Sequence, residues 1–290
     1  PTPASDGERV FAFYSSNDLA AFSLNGELLW LRGLALDHPG VGNDIGMASS
    51  PVVAGDAFVV QAECQGESFA IAVDRETGAT LWEVDRPKDS NWASPLPWTT
   101  AEGEPAVWLQ DETGATLHDA ASGEQLARID AECGGVVSPS LASDARLVLA
   151  TGGVSVFAEP FEVPTQTARK LQPGSPSPVV WQNQVLVINR GGVLACGDLE
   201  TGDVLWRRRL GGRFWATPVA ADGRLYCVNA EGEATVVDLT DGGKVLSKAD
   251  FGEDILGSPA VSRDAVYFRS NGHLWKIAPT QQAATGVTRR

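Results

Sequence analysis

Apolar and polar positions alternate in short runs along this chain, and Gly, Asp and Pro break the runs at regular intervals. Residues 217–250 serve as the template. After Thr217-Pro218, the apolar stretch Val219-Ala220-Ala221 predicts a short strand. Asp222-Gly223 supplies the positive φ angles of a type I′ hairpin. Residues 224–229 alternate and predict the second strand, Glu231-Gly232 turns, and residues 234–238 predict the third. A further turn at 240–243 leads into a fourth strand from Lys244. Four strands joined by hairpins make an antiparallel meander. The same order is written at 3–30, 51–84, 95–129 and 178–210. Residues 139–171 are degenerate, with Glu159-Pro-Phe-Glu-Val-Pro164 in place of the turn signal. The last repeat, from 259, reaches Leu274–Ile277 and lacks a fourth strand.

Each repeat opens on a Ser-Pro or Thr-Pro box, with prolines at 3, 51, 95, 139, 178, 218 and 259. A spacing of roughly 40 to 45 residues marks a circular array of four-stranded sheets. A lone meander has two faces and cannot bury both, whereas meanders packed around an axis share a continuous core. Closure also removes open ends. The expectation is an all-β propeller of four-stranded antiparallel blades with seven recognisable repeats, in one domain over 1–290. The blades fall near 2–47, 48–92, 93–136, 137–175, 176–215, 216–256 and 257–279, followed by a tail at 280–290. The strand after each box would be innermost and the fourth outermost. Proline is tolerated at a strand start because its missing N–H falls before the ladder begins. Because the chain opens on a box, a longer parent with upstream sequence is expected, an eighth sheet being one form of it.

The net charge is −15. Such a surface repels nucleic-acid phosphates and anionic lipid, so no nucleic-acid partner is expected. No apolar run is long enough to span a membrane as a helix. Cys64, Cys133, Cys196 and Cys227 show no zinc-site or Cys-x-x-Cys spacing. Cys196 and Cys227 sit in apolar strand patterns and read as small buried hydrophobes; the pairing of the four stays open. No Gly-x-Ser-x-Gly elbow, His-Glu-x-x-His or paired carboxylate motif is present, so no catalytic residue and no metal ligand is assigned. His118 and His273 read as packed, hydrogen-bonded strand residues. His38 lies in the long loop Leu36–Gly46, read as a solvated loop. The alternative is that Asp37, His38, Asn43 and Asp44 ligate a cation or sugar hydroxyl. Arg207-Arg208-Arg209 reads as charge protecting a sheet edge.

The mouth of the channel is the expected binding face. Connections from a fourth strand to the next box contribute Asp44, Asn91, Trp92, Arg213 and Trp215, with Glu132 and Glu253. Those from the second strand to the third contribute Glu63, Arg190, Asn229 and Arg269, with Asp111. Trp92 and Trp215 each stand three residues before a box proline, so they occupy equivalent places. Aromatics ringed by polar groups suit recognition of peptides or sugars; packing of the channel entrance is the alternative.

The string Asp-x-x-Thr-Gly-x-x-x-Trp at 74–82 recurs at 198–206. With the Ser-Pro-Val boxes it resembles the pyrroloquinoline-quinone-type (PQQ-like) repeat. That family takes in quinoprotein alcohol dehydrogenases and BamB-like β-propeller proteins of bacterial cell envelopes. The resemblance runs from Thr2 to about Pro279. It implies that Trp30, Trp82 and Trp206 dock on a neighbouring glycine turn, and that Leu126 and Leu246 stand roughly in the same place. It implies a periplasmic, cell-envelope or secreted location. Function is then expected to be non-catalytic: a monomeric scaffold that binds an envelope protein, peptide or small ligand without a cofactor. The alternative is a quinoprotein alcohol or sugar dehydrogenase using PQQ and Ca²⁺. The family's dehydrogenases use adjacent cysteines, a stacking Trp, a carboxylate base and a Ca²⁺ site, and this chain has no adjacent cysteines. A sensor fused to a signalling domain is a third setting.

Overall fold

The computed structural model describes residues 1–42, 46–142 and 145–279. It is an all-β chain with a single four-residue helix, Leu34–Asp37, among the described residues. Seven antiparallel meanders follow one another in sequence order, as a seven-bladed β-propeller. Two compact units divide them, one over residues 1–209 and one from Leu210 onward.

The first unit holds five sheets. In the second of them, Val52–Ala54, Ala57–Ala62, Phe69–Asp74 and Thr80–Asp85 pair in chain order. The third consists of Leu96–Thr99, Pro105–Asp111, Gly114–Asp119 and Gln125–Asp130. Central strands are buried throughout, as in Ala57–Ala62, while fourth strands alternate or are exposed. Apolar faces of adjacent sheets meet in shared clusters, such as Phe11, Phe58 and Ile71. The second unit holds a complete sheet ending in Lys244–Asp250, and a sheet with three strands among the described residues, Ala260–Ser262, Ala265–Arg269 and Leu274–Ile277. In the first of these, Asp222 and Gly223 have φ of 48° and 70°, the positive pair that a type I′ turn requires.

The boxes are tied together by their hydroxyls. The backbone N–H of Thr2 donates to Ser50 Oγ (2.9 Å), that of Ser50 to Ser94 Oγ (2.9 Å), that of Ser94 to Ser138 Oγ (2.8 Å) and that of Ser138 to Ser177 Oγ (3.0 Å). In the second unit Thr217 N–H donates to Ser258 Oγ at 3.0 Å. A residue before proline is held extended, and its N–H is collected by the hydroxyl of the next sheet's box. The spacing of the prolines is therefore also the spacing of a hydrogen-bonded belt.

A second set of links lies on the outer strands. Asp74 Oδ1 accepts Glu76 N–H (3.1 Å), Thr77 N–H (2.8 Å) and Thr77 Oγ1–H (2.8 Å), and Asp119 Oδ1 does the same for Ala121 and Ser122. Each Asp thereby shapes a turn whose glycine has positive φ. The indole of the preceding sheet rests on that glycine. Trp30 donates to Arg75 O (3.1 Å) and a Cβ on Gly78 would stand 2.9 Å from its ring. Trp82 donates to Ala120 O (2.8 Å) and a Cβ on Gly123 would stand 2.7 Å from its Cγ. Trp206 pairs with Cys196, the register position of Trp30 and Trp82, and carries the Arg208 guanidinium 5.9 Å from its ring.

That register corrects the placement of the leucines. The residues opposite the corresponding positions are Ala127 and Ser247, not Leu126 and Leu246. A shift of one residue turns a strand side chain to the other face, so the two leucines are exposed. The degenerate repeat is also resolved: Gln166–Ala168 supplies its fourth strand. The segment that replaces its turn drives Phe161 into an aromatic cluster, with centroids 5.0 Å from Trp108 and 5.8 Å from Trp98.

Ser94→Ala should cost about 1–2 kcal/mol, because the Ser50 N–H then loses its acceptor. Gly123→Ala should cost about 3 kcal/mol from overpacking against Trp82 combined with positive φ. Urea midpoints at pH 7 check both. The turn hydroxyls, Thr77 on Asp74 and Ser122 on Asp119, hold those carboxyls below the usual carboxylate range. A depressed carboxylate stabilises above its unfolded pKa of about 3.9 and loses that contribution as pH falls through the folded value. Urea midpoints should therefore fall below about pH 4, and Asp119→Ala should lower the midpoint at pH 7 while flattening its fall in acid.

Candidate functional site

The first unit carries a buried ionic network where connections of the second and third sheets meet. An isolated bridge pairs Glu63, past the second strand of the second sheet, with Asn91, past its fourth. Arg86 follows that fourth strand. Its Nε donates to Glu63 Oε1 at 2.6 Å, its Nη2 to Asp111 Oδ2 at 3.0 Å and its Nη1 to Thr116 Oγ1 at 3.1 Å. Asn91 Nδ2 donates to Glu63 Oε2 (2.7 Å), and Gln61 Nε2 donates to Glu63 Oε1 (2.8 Å). Asp111 Oδ1 accepts the Thr113 N–H and hydroxyl. The side chains of Arg86, Glu63 and Asp111 are 5%, 1% and 6% exposed, so two carboxylates share one guanidinium out of water. Burial pushes the Glu63 carboxyl up, and Arg86 opposes the shift.

His118 belongs to the same cluster. It is buried, with Nδ1 3.0 Å from Gly123 O and Nε2 2.9 Å from Thr116 Oγ1, and it stacks on Trp82. Burial lowers its pKa, so the ring is a neutral packing element. Cys133 and Cys196 are pushed up to about 12 by burial, and Cys227 is raised in the same way. All four cysteines are free and buried. The protonated thiols of Cys133, Cys196 and Cys227 are not nucleophiles. The network can hold three connections in place, and both of its carboxylates already bond the Arg86 guanidinium. Among the described residues no group of three or more His, Cys, Asp or Glu is arranged to hold a metal ion.

Beside the network opens a cleft of about 630 Å³. Gln110, a wall residue of the network, donates to Gly134 O (3.1 Å) and Val137 O (2.7 Å), which line the cleft. Six glycines contribute to its lining, at 134, 135, 152, 153, 174 and 191, and Arg190 is its one charged lining residue. A Cβ on Gly134 would meet nothing within 4 Å. Backbone strain does not require glycine there, and the missing side chain leaves the cleft open.

The structure thus brings Glu63, Asn91 and Asp111 together and places Arg190 on the adjoining cleft. Trp92 is half-buried and fixed, its indole donating to Gly46 O and its N–H to Gly135 O. Glu132 is exposed in the first unit, and Arg213, Trp215, Asn229, Glu253 and Arg269 lie in the second. There Arg213 pairs with Glu231 at 3.1 Å, Asn229 is buried against Glu233, and Trp215 and Arg269 are exposed. Asp44 and Asn43 lie outside the described residues. The described part of their loop is largely exposed, while His38 itself is half-buried, its ring 4.0 Å from that of Phe69 and its nitrogens 3.2 Å from Glu83 and 3.8 Å from Glu67, and Asp37 pairs with Arg32 at 2.8 Å. His273 is exposed, but its Nδ1 bonds Glu253 at 2.5 Å and its ring lies 5.1 Å from that of Trp275. In that cluster Ser270 donates to Glu253 and not to the imidazole, so no serine nucleophile is set up.

Arg86 escaped the reading of the sequence, yet the repeats carry its signal. Its N–H donates to Ser68 O, as Leu34 donates to Asn17 O, Ala131 to Thr113 O and Phe251 to Gly232 O. A cation stands where three other repeats have apolar side chains. Removing it should be costly: Arg86→Met leaves two buried carboxylates facing each other and should destabilise by about 3–5 kcal/mol. The triple variant Arg86→Met, Glu63→Gln, Asp111→Asn should recover part of that loss. Urea titration of the two proteins side by side measures the difference.

Residues 161–281 match a family model described as outer membrane protein assembly factor BamB. No curated protein matches the sequence. The fold is similar to the crystal structure of BamB from Moraxella catarrhalis, with TM-score 0.74 and 15% identity over 97% of this chain and 83% of that one. It is also similar to a europium-containing methanol dehydrogenase, with TM-score 0.69 and 13% identity over 92% of this chain and 72% of that one. Residues 161–281 thus resemble BamB-type repeats, and the chain as a whole shares the β-propeller fold of BamB and of the methanol dehydrogenase.

Proposed function

We propose that this chain is a non-catalytic binding propeller of the cell envelope that recognises a protein partner through the glycine-lined cleft of its first unit. The observation that carries the reading is the cleft itself. Its walls are largely main chain, which offers donors and acceptors to another main chain, and its single charge is the exposed Arg190. The neighbouring acids Glu63 and Asp111 both bond Arg86. The similarity to BamB supports a setting in the envelope, and no helix among the described residues is long and apolar enough to cross a membrane.

The methanol dehydrogenase likeness favours a second reading, a quinone-dependent oxidoreductase. The residues present do not fit that cofactor. The cysteines at 64, 133, 196 and 227 are far apart in sequence, and the clustered carboxylates already bond a guanidinium. No catalytic step is derived through it.

A photo-crosslinking residue at Val136, on the cleft, should give one discrete adduct in cells, and the same residue at Leu126, on an outer strand, should give none. Gly134→Trp should abolish the Val136 adduct while leaving the urea midpoint within about 0.5 kcal/mol of the parent. Equal labelling at both positions would sink the proposal. So would stoichiometric uptake of quinone with Ca²⁺, read as absorbance, together with dye-linked alcohol oxidation.

A further inference from the structure

The outer edge of the fifth sheet differs from the other outer edges in charge. Its fourth strand, Val204–Arg209, is outermost and, among the described residues, pairs as a strand only with Val193–Asp198. Along it Leu205, Arg207 and Arg209 form the exposed face, while Val204, Trp206 and Arg208 are half-buried. The neighbouring fourth strand, Gln166–Ala168, is followed by the exposed pair Arg169 and Lys170. Arg207 Nη2 donates to Lys170 O at 3.5 Å, which joins the two edges into one seam.

Cations on the other fourth strands are answered by acids, Lys248 on Lys244–Asp250 excepted. Arg32 is paired with Asp37 at 2.8 Å, Arg128 with Asp130 at 2.6 Å and Lys244 with Asp241 at 3.8 Å. Thr80–Asp85 carries Glu83 and Asp85 and no cation. Among the described residues no carboxylate pairs with Arg169, Lys170, Arg207 or Arg209. Four cations with no carboxylate partner among the described residues thus meet along the seam of two neighbouring outer strands in a chain of net charge −15.

We infer that this seam docks an acidic, extended peptide segment, which adds as a fifth strand beside Val204–Arg209. A strand at a sheet edge gains main-chain hydrogen bonds, and acids on alternate positions would meet Arg207 and Arg209 on the exposed face. The narrow footprint of a strand matters. A broad anionic surface such as a membrane would also face the acidic remainder of the protein and be repelled. This surface lies apart from the glycine-lined cleft, and it assigns the arginine run a role beyond shielding its edge.

The test uses the full chain and a fluorescein-labelled ten-residue peptide of alternating Glu and Thr, read by fluorescence anisotropy. Binding should be saturable, should weaken with added salt, and should fall about tenfold with Arg207→Glu plus Arg209→Glu, a change worth about 1.4 kcal/mol. Circular dichroism of that exposed-site variant should match the parent. The same peptide N-methylated on alternate residues should lose binding, because it cannot pair as a strand. A peptide of alternating Lys and Thr should not bind. Unchanged affinity in the charge-reversed variant overturns the inference, and so does full binding of the N-methylated peptide. Sedimentation with phosphatidylglycerol vesicles that depends on Arg207 and Arg209, without peptide binding, would assign the seam to lipid instead.

Discussion

A serine hydroxyl accepting one backbone N–H from the sheet before it is the constraint on which the architecture rests. Four such bonds run from Thr2 to Ser177, and one more joins Thr217 to Ser258. Each is individually modest, about 1 kcal/mol net, but each fixes where a first strand begins relative to its neighbour. The outer strands repeat the device in another form, with an indole donating across sheets while its ring covers a glycine. Meanders bonded at both ends present their apolar faces to one another in register, and burial then supplies the larger energy.

A repeat protein built this way puts similar side chains at similar places, so departures carry the information. Arg86 stands where Leu34, Ala131 and Phe251 stand in other repeats, and it gathers Glu63, Asp111 and Thr116 around it. Burying three charges is expensive unless each is paired and hydrogen-bonded, and here each is. The network holds the floor of the connections from which the cleft opens, and Gln110 passes the constraint on to Gly134 and Val137. Rigid support beneath an open, side-chain-poor cleft is what a recognition surface needs.

Charge distribution separates the two proposed surfaces. The chain as a whole is acidic, the cleft shows one arginine, and the outer seam shows four cations with no acid between them. Local charge of opposite sign to the total selects small acidic segments over extended polyanions, since only a small ligand escapes the field of the rest.

The sequence by itself determined the sheets, their order and their boundaries, because hairpin turns and period-two alternation are local properties that a few residues encode. The box spacing and the Asp-x-x-Thr-Gly turns were legible for the same reason, as were the burial of Cys196 and Cys227. Tertiary structure decided what depends on contacts between repeats. The reason for serine in the box lies in a bond to a residue about forty positions away. The choice between Leu126 and Ala127 opposite the docking position hangs on a one-residue register. Phe161 fills a core that its own sheet shares with the preceding one, against Trp98 and Trp108. Glu63, Asn91 and Asp111 were visible as polar loop residues, but only folding shows that one guanidinium bonds both acids, because charge pairing is set by distances that sequence separation does not report.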